Sequence, residues 1–276
     1  MISTLPKHLT LHDLLKTLAL ILMIVDHLGH HFYPDDMWFR VFGRLCVPIW
    51  FYLIGFANTA RIDRKLWIGA IMVAASAIVA GQYVLPLNIL FTIMLIRYLR
   101  HWLILSSFHS VQALRGIFFI LFFLYFPTAL FFEYGTLGMM LALCGFAVRH
   151  RDFVRDRVED KYILLFYVAV FFSYYMLQAI AMPSLSVNQA IVMSSGVGII
   201  GLGLWFFRPI TIENARRHMA GSLISVLQFT GRRTLEIYVL HIILFRLIAM
   251  FYQFDGYGLM AWQIAPSEVL LLMGIR

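Results

Sequence analysis

The chain reads as an all-α polytopic membrane protein, a bundle of transmembrane helices. Three observations predict that class. Of 276 residues, 62% are hydrophobic and only 13% charged, whereas a soluble domain carries about 25% charged and about 45–50% apolar residues. The mean hydropathy is +0.83. The apolar residues also come in long runs, and a crossing takes about 20 residues, so the chain has room for roughly nine or ten crossings. Residues 1–276 are therefore expected to form a single integral membrane domain with no separate soluble part.

The elements follow from apolar runs and the charges that punctuate them. The N-terminal MISTLPKHLTLHDLLK lacks the short apolar core and small-residue cleavage site of a secretory signal. The first apolar stretch, residues 12–33, is therefore expected to stay as the first helix. A second helix is expected over 41–60, where Pro48 frees backbone groups and kinks the chain, as membrane helices tolerate. Gly55 and the small residues Ala57, Asn58 and Thr59 favour close helix packing there. A third helix is expected over 66–82, a fourth over 84–99, a fifth over 115–132 and a sixth over 134–148. Arg149 to Lys161, the longest polar stretch, reads as a solvated loop. A seventh helix follows over 162–182, an eighth over 187–207 and a ninth over 232–252. The tail 259–275 is apolar but broken by Pro266 and Glu268, and reads as either a tenth crossing or a short interfacial helix.

The net charge of +8 is distributed as a topology signal, not as a nucleic-acid footprint. Arg61, Arg64 and Lys65 follow the second helix, and Arg97, Arg100, His101 and Arg115 lie between the fourth and fifth. Arg149, Arg151, Arg155, Arg157 and Lys161 lie between the sixth and seventh. Arg208, Arg216 and Arg217 follow the eighth, while Lys7 and Lys16 flank the start of the first. All fall on one side. The loops around Asp35–Asp36, Glu133 and Pro183–Ser184 are poor in Lys and Arg. Positive loops stay in the cytoplasm, so a cytoplasmic N-terminus in a bacterial inner membrane is expected, with the lipid bilayer as a partner and no nucleic acid. Cys46 and Cys144 each lie in an apolar run and read as core hydrophobes, with no disulfide framework or metal motif.

The function must be read from ionisable groups inside the apolar runs, which usually face a protein interior or a wet cavity. Lys16 and His27 are eleven residues apart, about three turns at 3.6 residues per turn, and so share one face about 16 Å apart in height. Lys16 can snorkel to an interface. His27 has Asp26, His30 and His31 around it, and a histidine suits general acid–base work. Asp26 stands about 100° around the helix from His27. It is expected to pair with Arg44 on the next helix, in a fork of two parallel bonds. Near the end, GRRTLEIYVLHIILF carries Glu236, Tyr238 and His241, the last near mid-membrane where it needs a partner. Asn88 and Thr92 add polar groups to the fourth helix, as interhelical hydrogen bonds or substrate contacts.

At these residues the chain resembles the TraX family of integral membrane proteins. The resemblance rests on LLKTLALILMIVDHLGHHF, FGRLCVPIWFYLIGFA and LNILFT, which cover about the first hundred residues, and on a later I-Y-V-L-H element. The same features are similar to the membrane acyltransferase-3 group, whose first helix carries a basic residue, ten intervening residues and a His. Lys16 and His27 have that spacing. Arg44 with FYLIGF loosely resembles the group's Arg and F-F-x-x-S-G-F, and Ile237–His241 resembles its late I-Y-x-x-H. Lys16 stands where that group usually has Arg, and Ile54 where it has Ser.

The resemblance implies acetyl or acyl transfer from acetyl-CoA or another acyl-CoA, used as a co-substrate with no bound cofactor. The acceptor would be an amine or hydroxyl of a protein, glycan or lipid. TraX itself is associated with N-terminal acetylation of conjugative pilin, a substrate the resemblance does not carry to this chain. His27 would then be the general base or a relay beside it. Asp26 and Arg44 would structure the site, with Arg44 alternatively holding a phosphate or the acyl carbonyl. Lys16, Asn88, Glu236, Tyr238 and His241 would bind acyl-CoA or substrate, and Lys16 with the basic loops would attract the anionic CoA. No P-loop accompanies them. The rival expectation is a proton-coupled transporter or flippase using Asp26, His27, Glu236 and His241 as a proton path. Haem or metal ligation by the histidines is a weaker third reading.

Overall fold

The computed structural model describes residues 8–212 and 219–266. Twelve helices make up the described fold. They are α1 (Leu11–Phe32), α2 (Met37–Gly43), α3 (Cys46–Ala57), α4 (Arg64–Val79), α5 (Ile89–Ser107) and α6 (Val111–Thr128). They continue with α7 (Gly135–Arg149), α8 (Arg151–Arg155), α9 (Asp160–Ala181), α10 (Val187–Trp205), α11 (Gly221–Arg232) and α12 (Thr234–Phe251). Among the described residues, six spans are long and apolar enough to cross a membrane: α2 with α3, then α5, α6, α9, α10 and α12. The helix α1 is as long, at 22 residues, but carries the polar groups of the site. The protein is an all-α polytopic helix bundle.

The core is built around α7, every residue of which is buried from Gly135 to Ala147. A helix apolar all round must be enclosed by others. Its closest neighbour is α3, and two glycines set the distance. A Cβ at Gly55 would stand 1.7 Å from the Ala142 carbonyl oxygen, and one at Gly145 would stand 2.0 Å from that of Tyr52. A tyrosine hydroxyl ties the shell to this pair, Tyr52 donating to the Leu204 carbonyl of α10 at 2.8 Å, and Tyr167 of α9 joins the shell helices by donating to that of Gly201 at 2.7 Å. The outer helices present large apolar side chains outward, such as Phe119, Phe123, Ile199 and Leu240.

Helix ends explain where the segments begin. Thr10 and Asp13 form a capping box on α1, and Ser186 with Gln189 forms one on α10. Asn88 caps α5 by accepting from the Leu90 N–H, so that helix starts later than expected. It also runs further. Arg100 is a helical residue, not a loop residue, and it donates to the Asn58 carbonyl just after α3, while Arg97 donates to that of Arg61 in the loop beyond. The second expected helix is two. Pro48 has no N–H to give the Arg44 carbonyl, which accepts instead from the Tyr174 hydroxyl at 2.6 Å. The expected solvated loop after α7 contains α8, which buries Val154.

A helix that sequence reading passed over is α11. It packs Ile224 and partly buried Leu227 against Leu9 and partly buried Leu14, while Leu223, Val226 and Phe229 face outward. The basic ends of α3, α5, α7 and α10 gather on the same side as the starts of α1, α4 and α12, here called the basic face. Contacts show the gathering: Asn58 with His150 at 3.3 Å, the Arg151 guanidinium 4.3 Å over the Trp205 ring, and Asp13 with Arg232 at 3.2 Å. Lys7, Arg216 and Arg217 of the expected topology lie outside the described residues. The tail to Pro266 forms no helix. It is strapped to the 79–85 turn on the far face by Gly258 N–H to Ala80 O, Met260 N–H to Val79 O and Val84 N–H to Gln263 O. Its remainder, with Glu268, is outside the described residues.

Candidate functional site

The site lies at the far end of α1, where its neighbours α2 and α12 approach it from two sides. Toward α2 the approach is close. A Cβ at Gly43 would stand 2.4 Å from both Cα and Cβ of Asp26, and one at Gly29 would stand 2.3 Å from Cβ of Phe39. The resulting contact places two arginines on one carboxylate. Arg40 Nη1 donates to Asp26 Oδ2 at 2.9 Å. Arg44 Nε stands 3.5 Å from Oδ1, too poorly placed for a hydrogen bond. Arg44 instead gives an Nη1 proton to the Tyr134 hydroxyl. The expected two-bond fork between Arg44 and Asp26 is thus corrected. Arg40 is the bonded partner, and Arg44 is a second, looser cation shared with α7. Sequence reading missed Arg40, although it precedes Arg44 by four residues and so shares its helix face.

Toward α12, His27 meets His241. Their Nδ1 and Nε2 atoms are 2.7 Å apart. His241 Nδ1 is also 2.7 Å from the Ile237 carbonyl oxygen. A carbonyl only accepts, so His241 carries its proton on Nδ1, and in a neutral pair its Nε2 is an acceptor. His27 then donates from Nδ1 and keeps a bare Nε2, a tautomer assigned by the network. That Nε2 has no hydrogen bond among the described residues, and His27 is half-buried. The arrangement is a histidine oriented by a second histidine, with one nitrogen free to take a proton. Tyr238 packs against both rings, its centroid 6.1 Å from that of His27 and 5.9 Å from that of His241. His31, one turn on, hydrogen-bonds the Tyr257 hydroxyl. Tyr257 lines a polar cavity of about 440 Å³ on the far face with His30, Gln82, Tyr83, Asp255 and Gln263.

The structure brings together Asp26, His27, Arg44, Tyr238 and His241. It keeps the other expected site residues apart from them. Lys16 sits near the basic end of α1, half-buried, with no hydrogen bond or ion pair among the described residues. Glu236 joins Arg233 at 3.4 Å and Lys65 at 3.7 Å on the basic face. Asn88 spends its side chain on the cap of α5 and on the Ala70 carbonyl at 3.0 Å, and Thr92 donates to the Glu133 carbonyl at 2.7 Å. Beyond Arg40, sequence reading also passed over Tyr134, Arg246 and Tyr257. Only Arg246 left a signal, as a lone cation in an apolar run. Among the described residues no three His, Cys, Asp or Glu side chains converge to hold a metal ion.

The model of the TraX protein family matches residues 11–249, almost the whole bundle including both histidines. The chain belongs to the TraX family. An uncharacterized protein of Rickettsia prowazekii is 29% identical to this TraX-family chain over 142 residues, half of the chain and 56% of the relative. The chain thus spans little more than half the length of the curated relative it matches. No solved structure matches.

Proposed function

We propose that this TraX-family protein is a membrane acyltransferase in which His27 is the general base. The observation that carries the reading is the His27–His241 pair with its free Nε2. In the proposed step, Nε2 removes the proton of an acceptor hydroxyl or amine as the acceptor attacks the thioester carbonyl. The thioester C–S bond then breaks, and the imidazolium returns the proton to the departing CoA thiolate. The resemblance of Lys16, His27, Arg44 and Ile237–His241 to the acyltransferase-3 pattern supports the same chemistry. An acetyl-CoA or acyl-CoA co-substrate would meet the basic face first, where Lys16, unpaired among the described residues, offers an ammonium to its phosphates. The basic face would be cytoplasmic in a bacterial inner membrane. The test is incubation of purified protein in lipid nanodiscs with radiolabelled acetyl-CoA and membrane extract. Label should pass to a protein, glycan or lipid acceptor, and His27→Gln should abolish the transfer.

A second reading has its own support. His27, His31, His241 and Tyr257 form a file of proton-carrying groups from mid-bundle to the far-face cavity. Such files serve proton-coupled transporters. Uptake driven by a pH gradient, with no label transferred, would replace the first reading with this one.

A further inference from the structure

Two of the membrane-crossing helices, α6 and α9, leave an apolar groove between them of about 280 Å³. Leu114, Phe118 and Phe119 line it from α6, and Leu165, Phe166 and Ala169 from α9. These positions recur three and four apart, so each helix offers one continuous stripe. Leu114 and Phe166 are buried, while Phe119 and Leu165 are exposed, so the groove opens away from the core. From Val111 to Phe119 its wall on α6 is about 12 Å long at 1.5 Å per residue. One leaflet supplies an apolar depth of about 15 Å, so the groove follows most of it.

The groove has a charged mouth. Both helices start on the basic face, and Arg115 of α6 and Tyr162 of α9 line that end. The Arg115 guanidinium lies 5.2 Å from the Tyr162 ring centroid, a cation–π contact that holds it at the gap between the helices. The neighbouring charges are spent on one another. Lys161 pairs with Glu159 at 2.7 Å, and Asp160 takes Arg155, with Arg151 3.8 Å away. Arg115 is exposed and makes no hydrogen bond or ion pair among the described residues. Its fork of N–H donors is therefore open to a phosphate. A cation at the head of an apolar groove fits a ligand with an anionic head and a hydrocarbon tail. Basic pockets between transmembrane helices hold anionic lipid head groups in this way. A soluble anion would gain nothing from the apolar wall, and a partner helix seated there would bury Arg115 without a counter-charge, which is costly.

We infer that the α6–α9 groove binds one anionic phospholipid from the leaflet on the basic face, with Arg115 on its phosphate and an acyl chain along Leu114, Phe118 and Ala169. A zwitterionic lipid brings its own ammonium to that phosphate, so it gains less from Arg115. None of these residues belongs to the His27 site, and the inference needs neither functional reading.

The test is native mass spectrometry of the full-length protein released from a non-ionic detergent, with added dioleoyl phosphatidylglycerol or dioleoyl phosphatidylcholine. Wild type should bind one phosphatidylglycerol about fivefold more tightly than phosphatidylcholine, the preference that one cation at a membrane surface confers. Arg115→Gln, an exposed change that the fold should tolerate, should bring the ratio close to one. Arg64→Gln removes the same charge elsewhere on the basic face and should leave the ratio unchanged. Dihexanoyl phosphatidylglycerol, with chains too short for the groove, should bind at least tenfold more weakly than the dioleoyl lipid. Ala169→Phe, which fills the groove, should weaken the dioleoyl lipid by a similar factor. Equal binding of the two dioleoyl lipids to wild type, an unchanged ratio in Arg115→Gln, or an equal loss in Arg64→Gln overturns the site. So does undiminished binding of the dihexanoyl lipid, or of the dioleoyl lipid to folded Ala169→Phe. A protein dimer in place of the lipid adduct, broken by Ala169→Phe, would give the groove to a second copy and overturn it too. None of these readouts involves acetyl-CoA, so failure here is separable from failure of the catalytic reading.

Discussion

Replacing Asp26 by Asn tests the ion cluster that fixes α2 on α1. The three side chains are 9%, 16% and 18% exposed for Asp26, Arg40 and Arg44, so they form a mostly buried group. Removing one partner of a buried pair costs about 3–5 kcal/mol, because it strands the opposite charge. Here two guanidiniums would be stranded together, which puts Asp26→Asn at the upper end of that range. The two arginines differ in what they lose. Both feel the carboxylate's charge, but only Arg40 hydrogen-bonds it, at 2.9 Å against 3.5 Å for Arg44. A hydrogen bond to a charged group contributes about 1.5–3 kcal/mol. Double-mutant cycles with Arg40→Met and Arg44→Met should therefore give a larger coupling to Asp26 for Arg40, by about 1–2 kcal/mol. The measurement is unfolding in mixed micelles, followed by tryptophan fluorescence. A coupling to Arg44 equal to or larger than that to Arg40 would refute the assignment of Arg40 as the bonded partner.

Other expectations follow from the same contacts. His27→Gln should lower acyl transfer by about 10²–10⁴-fold while the protein stays folded, since a positioned base contributes that much; near-normal transfer would remove His27 from the chemistry. His241→Gln keeps an acceptor for the His27 N–H and should cost less than His241→Leu, which has none; equal losses would show that His241 does not orient His27. Gly43→Ala should destabilise by at least about 1–3 kcal/mol through overpacking against the Asp26 backbone. Gly116→Ala, with nothing within 4 Å of the new methyl, should be neutral or stabilising by up to about 1 kcal/mol; equal effects on Tm would discard the close-approach argument. A reporter fused near Arg155 should be active only as a cytoplasmic fusion, and one near Tyr83 only as a periplasmic one.

The bundle was legible because each apolar run in this chain is closed by charge or by a capping residue. The run before Arg61 and the run before Arg149 both end within a few residues of the expected points. Where charge misled, it did so for a physical reason. Arg100 reads as loop, yet it remains helical because the Asn58 carbonyl just after α3 receives it. The helix α11 escaped notice because its apolar side chains are interleaved with Ser222, Ser225, Gln228 and Thr230, which leave no continuous apolar run. In the site, sequence marked His27 for acid–base work and His241 as needing a partner. It could not show that each is the other's, because they stand 214 residues apart. The bonding of Asp26 to Arg40 depends on how near Gly43 lets α2 come, a distance no residue pattern states.

The placement of Asp26 and His27 on adjacent positions of α1 carries a consequence for mechanism. Successive helical residues point about 100° apart, so one faces α2 and the other faces α12. The carboxylate is consumed by two guanidiniums on its own side. The imidazole is therefore oriented by another imidazole and not by a carboxylate. A carboxylate partner would hold a protonated base more tightly, because it stabilises the imidazolium directly. A neutral histidine partner leaves His27 easier to discharge, so the proton it removes from an acceptor can be passed on. In the acyltransfer reading that recipient is the leaving thiolate. In the transporter reading it is the next group toward Tyr257. The division of α1 into an ionic side that holds the fold and an imidazole side that moves a proton is common to both readings. It is why loss of Asp26 should be seen first in stability and loss of His27 first in turnover.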